Sequence, residues 1–198
     1  WDTSYVAMLL SLLDPTNFKR YLKVQVATAP TLVKDPAVPC TQCPPAFHCL
    51  SAATGKACAP MPAGGWYAYN SQQFFDSIVT YLSVTGDLDF LHETCNGTQP
   101  LSLLKSLASN YQNWPHPLID GQTIDLLADY GGNANYFDPN VVPSYNHVCA
   151  SSQAGNVFML EELATMLEQS DPQAAAAAKS TANGIANLTL GLYEPSPG

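Results

Sequence analysis

The feature that most restricts the fold is a pattern of helix, tight acidic turn and second helix that occurs three times in the 198 residues. Apolar residues recur at helical spacing in runs that start near positions 3, 71 and 151. Asp14-Pro15, Gly86-Asp87 and Asp171-Pro172 follow these runs, and each pair can end one helix and begin another. The pattern predicts an all-α chain of stacked αα-hairpins.

The helix boundaries follow from the same signals. The first pair is predicted at 2–13 and 15–26, the second at about 71–85 with helix resuming in 88–93 and 101–111, and the third at 151–170 and 173–192. We expect Met8, Met159 and Met166 to fill the core. The apolar stripes comprise, in chain order, Val6, Leu9, Leu10 and Leu13, then Phe74, Phe75, Ile78, Val79 and Leu82, then Val157, Leu160, Leu163, Ala164 and Leu167.

Cysteines and glycosylation sequons indicate the compartment. Four cysteines lie in the Pro-rich segment 28–65, which we predict to be a long loop insertion. The sequons begin at Asn96 and Asn187. Together with the even cysteine count they favour an oxidising, secreted or secretory-lumen setting. We predict disulfides among the six cysteines, whose 15 possible pairings the sequence does not resolve: Cys40, Cys43, Cys49, Cys58, Cys95 and Cys149. The alternative for the loop is a zinc knuckle with His48 as a ligand.

Charge excludes several classes of partner. The net charge is −9 with only seven Lys and Arg residues, which makes nucleic acid and anionic membranes poor partners. Charged residues make up 12% of the chain, about half of the usual ~25%, as suits an extracellular protein. No apolar run approaches the ~20 residues that a membrane helix needs. The chain opens at Trp1 with no signal peptide, so we expect that a preceding segment was removed. We predict no metal and no cofactor.

Polar and aromatic residues gather just before each of the three first helices. Carboxylates and amides bind sugar hydroxyls and aromatic faces stack on sugar rings, so this composition predicts a carbohydrate site. Hydrolysis of a glycosidic bond needs two carboxyl groups, and the acid is best placed among aromatic side chains that raise its pKa. Asp129 and Asp138, which flank Tyr130, Tyr136 and Phe137, have that setting. The predicted sugar-binding residues are Trp1, Asp2, Trp66, Tyr67, Gln72, Asn133, Asn135, Tyr145, His147 and Gln153.

Three stretches carry a resemblance to a known family. Trp1-Asp2-Thr3 followed by an apolar run and LLDP resembles the start of the barrel in six-hairpin glycosidases. Residues 126–164, LLADYGGNANYFDPNVVPSYNHVCASSQAGNVFMLEELA, and the TGDLDFL of 85–91 are similar to segments of glycoside hydrolase family 63 and related enzymes. The resemblance covers most of the chain apart from 40–58. It implies an (α/α)6 toroid, of which residues 1–198 supply about three of the six hairpins.

The same resemblance implies an inverting glycoside hydrolase. The family's general acid lies in the loop before the third inner helix, a position that falls on Asp129 or Asp138, with Asp129 favoured. Its general base lies in the second half of the barrel, which this chain does not reach. We therefore expect the rest of the same chain or a second chain to complete the barrel, and expect this half alone to be inactive.

Two other functions stay open. A non-catalytic extracellular glycoprotein, kept for carbohydrate binding or structure, would explain the Cys-rich insertion and the short chain. A polysaccharide lyase would use Tyr145, Asn146 and His147 on an acidic sugar, although the net charge of −9 disfavours such substrates. The same residues also have purely structural explanations, since Asp2, Asp129 and Asp138 can cap helices or turns and Gln72 can satisfy loop backbone.

Overall fold

The computed structural model describes residues 2–28, 34–39, 57–59, 68–129 and 148–191, with side chains described at 4–27, 71–129 and 148–191. Helix dominates this part of the chain, so the predicted all-α class is confirmed. Short 3₁₀ helices at Leu88–His92 and Asn110–Asn113 flank α4. The α-helices are α1 (Asp2–Leu13), α2 (Pro15–Thr28), α3 (Ala68–Thr85), α4 (Pro100–Ala108), α5 (Ala150–Leu167) and α6 (Pro172–Gly191).

The acidic turns work as their sequences predict. The Asn17 backbone N–H donates to Asp14 Oδ1 at 3.2 Å, and the Ala174 N–H donates to Asp171 Oδ1 at 3.1 Å. Both aspartates therefore cap the third helical residue after a proline at the first position. Gly86 ends α3 with a positive φ of 69°, which a glycine adopts without steric cost.

The three first helices of the pairs, α1, α3 and α5, lie side by side. α3 is in the middle and contacts both α1 and α5, while α2 packs back on α1 and α6 packs closely on α5. Ser4 near the start of α1 bonds to Gln73 near the start of α3, and Gln72 bonds to Ser152 in the first turn of α5. The three helices consequently run in the same direction with their N-termini at one end.

The core lies between this row of helices and their partners. From α3 it takes Phe75, Ile78, Val79 and Leu82, four of the five residues predicted for that stripe, and Phe74 packs against them. Phe75 also meets Phe158 of α5 edge to face, with ring centroids 6.0 Å apart. On α6 the buried positions are Ala175, Ala178, Ala182 and Ile185, and the small alanines allow α6 to approach α5 closely. The α5 stripe is buried at Leu160, Leu163, Ala164 and Leu167, with Val157 packed against it.

The α1 helix buries a different face from the one predicted. The face that packs on the protein carries small residues, Ala7 and Ser11, which are 0% and 2% exposed. The large apolar residues that we predicted as its stripe point outward, and so does Met8, which is 62% exposed and is therefore not a core residue. Met159 is buried and Met166 packs against the core, as predicted. The predicted α1 stripe was wrong because periodicity defines a face without showing which face is covered.

Two small sheets were not predicted. β1 (Lys34–Pro39) pairs in parallel with β2 (Ala57–Ala59), so the segment 28–65 that we predicted as loop contains strand. β3 (Leu118–Ile119) and β4 (Gln122–Thr123) form an antiparallel hairpin. Its turn residues Asp120 and Gly121 both have positive φ, 50° and 79°, as an Asp-Gly two-residue turn requires. That dipeptide was a sequence signal that could have identified the hairpin.

Candidate functional site

A continuous set of polar side chains joins the starts of α1, α3 and α5. The Ser4 hydroxyl of α1 donates to Gln73 Oε1 of α3. The neighbouring Gln72 donates from Nε2 to the Ser152 carbonyl of α5 at 3.0 Å. Hydrogen bonds between side chains of adjacent helices and their backbone fix the three N-termini relative to one another. These two contacts bring the starts of α1, α3 and α5 together.

Asp129 is held against this network from two sides. Its backbone N–H donates to the Pro115 carbonyl at 2.7 Å, which closes the excursion from 115 to 129 that carries the β3–β4 hairpin. On the other side the Gln153 carboxamide makes two hydrogen bonds to Ala128, the residue before Asp129. Its Nε2 donates to the Ala128 carbonyl at 2.7 Å, and its Oε1 accepts from the Ala128 N–H at 3.4 Å. Asp129 itself is half-buried. Asp129, which we predicted from the sequence as a general acid, thus follows backbone that α5 contacts directly.

Gln153 is buried and bonds only within the protein, where it positions the backbone of Ala128. The side chain is 0% exposed, and its Oε1 also accepts from Asn156 Nδ2 at 3.3 Å. Both ends of the carboxamide are therefore bonded within the protein. We predicted Gln153 as a sugar-binding residue, whereas these contacts make it the support for Ala128 and Asp129.

Gln72 is likewise an internal residue, 6% exposed. Its carboxamide lies directly over Gly155 of α5, where an added Cβ would come within 2.1 Å of Gln72 Cδ. A side chain at position 155 would overlap the Gln72 carboxamide, so this close contact between α5 and α3 requires glycine here or a displaced amide. The predicted direct role of Gln72 in sugar binding is thus replaced, in this structure, by a link between α3 and α5.

Ser152 carries an unusual hydroxyl. The residue is 0% exposed, and within the described residues its Oγ has no hydrogen-bond partner. A buried hydroxyl without a partner costs about 1–3 kcal/mol, so such groups often mark a place for water or a ligand. Ser152 lies one residue before Gln153, in the same network that supports Asp129.

The sequence analysis missed Asp76. It lies four residues after Gln72 on α3, which places it on the same face and about 6 Å further along the helix axis. Burial raises the pKa of its carboxyl above the ordinary value, which favours the protonated form. Its spacing from Gln72 and Gln73 was the signal that could have identified it. A half-buried carboxyl with a raised pKa is the kind of group that a general acid requires.

Several predicted residues lie outside the described residues. For Asp2 the structure describes only the backbone, at the N-terminus of α1. The remaining predicted residues that lie outside the described part of the chain are Trp1, Trp66, Tyr67, Asn133, Asn135, Asp138, Tyr145 and His147.

The cysteines and sequons are only partly described. Cys95 is a buried thiol, so the disulfide that we predicted for it is not formed in this structure, and burial raises its pKa. Its backbone pairs with Thr98 around the Asn96-Gly97 turn instead. Cys149 is buried, with its sulfur 3.0 Å from Ser151 Oγ. The side chains of the loop cysteines, Cys40, Cys43, Cys49 and Cys58, lie outside the described part. Asn96 and Asn187 are both exposed, which a glycan acceptor requires.

An ionic cluster lies at the opposite end of the row, where α2 meets the turn after α3. Lys19 Nζ is 2.7 Å from Asp87 Oδ2 and 2.5 Å from Glu93 Oε1, and Lys23 Nζ is 2.5 Å from Glu93 Oε2. The Tyr81 hydroxyl also donates to Asp87 Oδ2 at 2.7 Å. Lys19 and Tyr81 hold the pKa of Asp87 below its ordinary value, and the two lysines do the same for Glu93. The cluster borders a groove of about 630 Å³ and joins α2 to the end of α3.

The described residues contain neither a metal-binding cluster nor a membrane-spanning helix. No group of three or more His, Cys, Asp or Glu side chains there could hold a metal ion. None of the described helices combines the length and the apolar content needed to cross a bilayer.

Comparison with protein-family models, curated proteins and solved structures finds no match to this chain.

Proposed function

We propose that this chain is a carbohydrate-active domain of a secreted protein, built as an arc of an αα-hairpin toroid, with its sugar site at the N-termini of α1, α3 and α5. The observation that carries the proposal is the network that joins those three helix starts to the backbone at Asp129. A row of parallel first helices, each backed by a second helix, is the arrangement expected of successive hairpins in such a ring.

In this proposal Asp129 is the general acid of an inverting glycoside hydrolase. The acid protonates the oxygen of the leaving group, while a base on the other side of the sugar activates water. Gln153 bonds to the backbone of Ala128 and so holds in place the backbone that carries the Asp129 carboxyl. The base is not assigned within this chain, and completing the barrel would require the rest of the same chain or a second chain.

The test uses this chain together with the part that completes its barrel, because we expect this half alone to be inactive, and it measures binding and hydrolysis of neutral gluco- and manno-oligosaccharides. Isothermal titration calorimetry follows binding, and proton NMR of the released sugar follows hydrolysis and its anomeric configuration. Asp129→Asn is expected to lower hydrolysis by about 10²–10⁴-fold, the usual contribution of a general acid, while binding persists. Asp125→Asn is the matched control, because Asp125 is an exposed carboxylate four residues away. Failure of every oligosaccharide to bind would overturn the carbohydrate assignment.

A second candidate is a non-catalytic carbohydrate-binding domain. A non-catalytic domain needs no general base, and none is assigned within this chain. Binding of oligosaccharides without any released product would favour this function. An unsaturated product that absorbs ultraviolet light, formed from an acidic polysaccharide, would instead identify a lyase.

A further inference from the structure

The Asp76 carboxyl on α3 is a polar group that the contacts of the fold leave unused. The residue is half-buried, and within the described part of the chain its carboxyl has neither a hydrogen bond nor an ion pair. Burial alone raises the pKa of this carboxyl, and no charged neighbour contributes to the shift. Burial of an acidic group without a partner destabilises a protein, and such groups are characteristic of functional sites.

Helix geometry places Asp76 between the two neighbours of α3, on the side away from the core. Gln73 marks the side of α3 that faces α1, and Gln72 marks the side that faces α5, since each bonds to the start of that helix. At about 100° per residue, Asp76 lies between these two directions, about 40° from Gln72 and about 60° from Gln73. Ile78, which is fully buried in the core, lies about 160° away from Asp76 around the helix. The carboxyl therefore points into the gap between α1 and α5.

Access distinguishes Asp76 from the carboxamides beside this gap. Gln72 and Gln153 are 6% and 0% exposed, and both bond to the protein backbone. Asp76 is more exposed than either, and it lies about 6 Å further along α3 than Gln72, one turn into the gap from the helix starts. A ligand that enters between α1 and α5 at the helix starts can therefore reach its two carboxyl oxygens. No donor from the described residues occupies them.

The chemistry of the carboxyl group restricts the ligand. An ionised carboxylate accepts hydrogen bonds on both oxygens and donates none, so its partner must be a hydrogen-bond donor. Two neighbouring hydroxyls of a sugar ring present a pair of donors to the two oxygens. Partial burial strengthens these bonds because less water competes for them.

We propose that Asp76 binds the substrate sugar, with its carboxylate accepting hydrogen bonds from two neighbouring hydroxyls of a neutral sugar ring one helical turn inside the site at the helix starts. This inference rests on the proposed function and adds a residue that determines specificity. A sugar that lacks either hydroxyl leaves a carboxylate oxygen desolvated without a donor, so the site rejects that sugar.

Asp76→Asn tests this contact in the chain together with the part that completes its barrel. Isothermal titration calorimetry with neutral gluco- and manno-oligosaccharides should show an affinity lower by at least roughly tenfold, because hydrogen bonds to a charged acceptor are lost. Asp89→Asn is the matched control and should leave the affinity unchanged, since Asp89 is an exposed carboxylate beyond the end of α3. Monodeoxy sugars that lack one of the bound hydroxyls should bind the parent more weakly, and Asp76→Asn should weaken their binding little further.

Urea unfolding without sugar gives a second readout. The carboxyl has no partner in the fold to lose, so Asp76→Asn should unfold at the same urea concentration as the parent or at a higher one. A lower midpoint would show that the carboxyl supports the fold, and would overturn the inference.

The binding results separate this inference from the proposed function. Equal sugar affinities of the parent and Asp76→Asn would overturn the inference and leave the proposed function standing. A parent that binds no oligosaccharide would remove both. Tighter binding of glucosamine oligomers than of glucose oligomers, lost in Asp76→Asn, would identify an ammonium group as the partner and would overturn the assignment to neutral hydroxyls.

Discussion

Replacement of Gly155 by alanine tests the network at the helix starts most directly. In an exposed helix interior Gly→Ala stabilises a protein by about 1 kcal/mol, because alanine is the better helix former. At this position the new Cβ would lie 2.1 Å from Gln72 Cδ, 2.2 Å from its Oε1 and 2.3 Å from its Nε2. Non-bonded heavy atoms do not approach this closely, so the Gln72 carboxamide must move away from the new Cβ.

The cost of that movement can be worked from the contacts. Gln72 is 6% exposed and its Nε2 donates to the Ser152 carbonyl at 3.0 Å. Displacement breaks the buried hydrogen bond of the Gln72 amide, which costs about 1–3 kcal/mol, and crowding around the new Cβ costs about another 1–3 kcal/mol. After the helix-propensity gain, the net loss of unfolding free energy is about 3 kcal/mol. For a chain of this size such a loss lowers Tm by roughly 6–12 °C.

Urea unfolding followed by circular dichroism at 222 nm measures the effect. Gly191→Ala is the control, because this helical glycine has no atom within 4 Å of an added Cβ. In a Gln72→Ala background the obstacle is absent, so Gly155→Ala should cost much less there, with a coupling of at least about 1 kcal/mol. A Gly155→Ala protein as stable as the parent, or an equal effect in both backgrounds, would refute this account of the α3–α5 contact.

Two further predictions concern the turns and the ionic cluster. Asp171→Ala removes the acceptor for the Ala174 N–H and should lower the unfolding free energy by about 1 kcal/mol in the same urea assay, whereas an unchanged midpoint would mean that the cap contributes nothing. The pKa values of Asp87 and Glu93 are lowered in the folded state, so their contribution to stability is present above their ordinary values, 3.8 and 4.5, and is lost as the pH falls through the folded values. Asp87→Asn should therefore show a smaller fall in Tm between pH 6 and pH 3 than the parent, and identical profiles would contradict the proposed pairing.

The sequence by itself determined the helices and their turns. Asp14-Pro15 and Asp171-Pro172 begin helices through contacts within four residues, and the observed α2 and α6 begin directly after these two aspartates. Such signals are local, so no knowledge of the rest of the chain is needed. The stripes of α3 and α5 were also predictable, since large apolar residues on one face of a helix usually face the core.

Only the tertiary structure decided which face of α1 is covered and what the polar residues at the helix starts do. The small face of α1 packs on α3 because Ala7 and Ser11 allow close approach, a choice that depends on the neighbouring helix and not on periodicity. Gln72 and Gln153 bond to backbone 80 and 25 residues away, respectively. A carboxamide binds a ligand or a distant peptide group equally well, and its chemistry alone does not choose between them. The fold makes that choice by bringing Ser152 and Ala128 within hydrogen-bond distance.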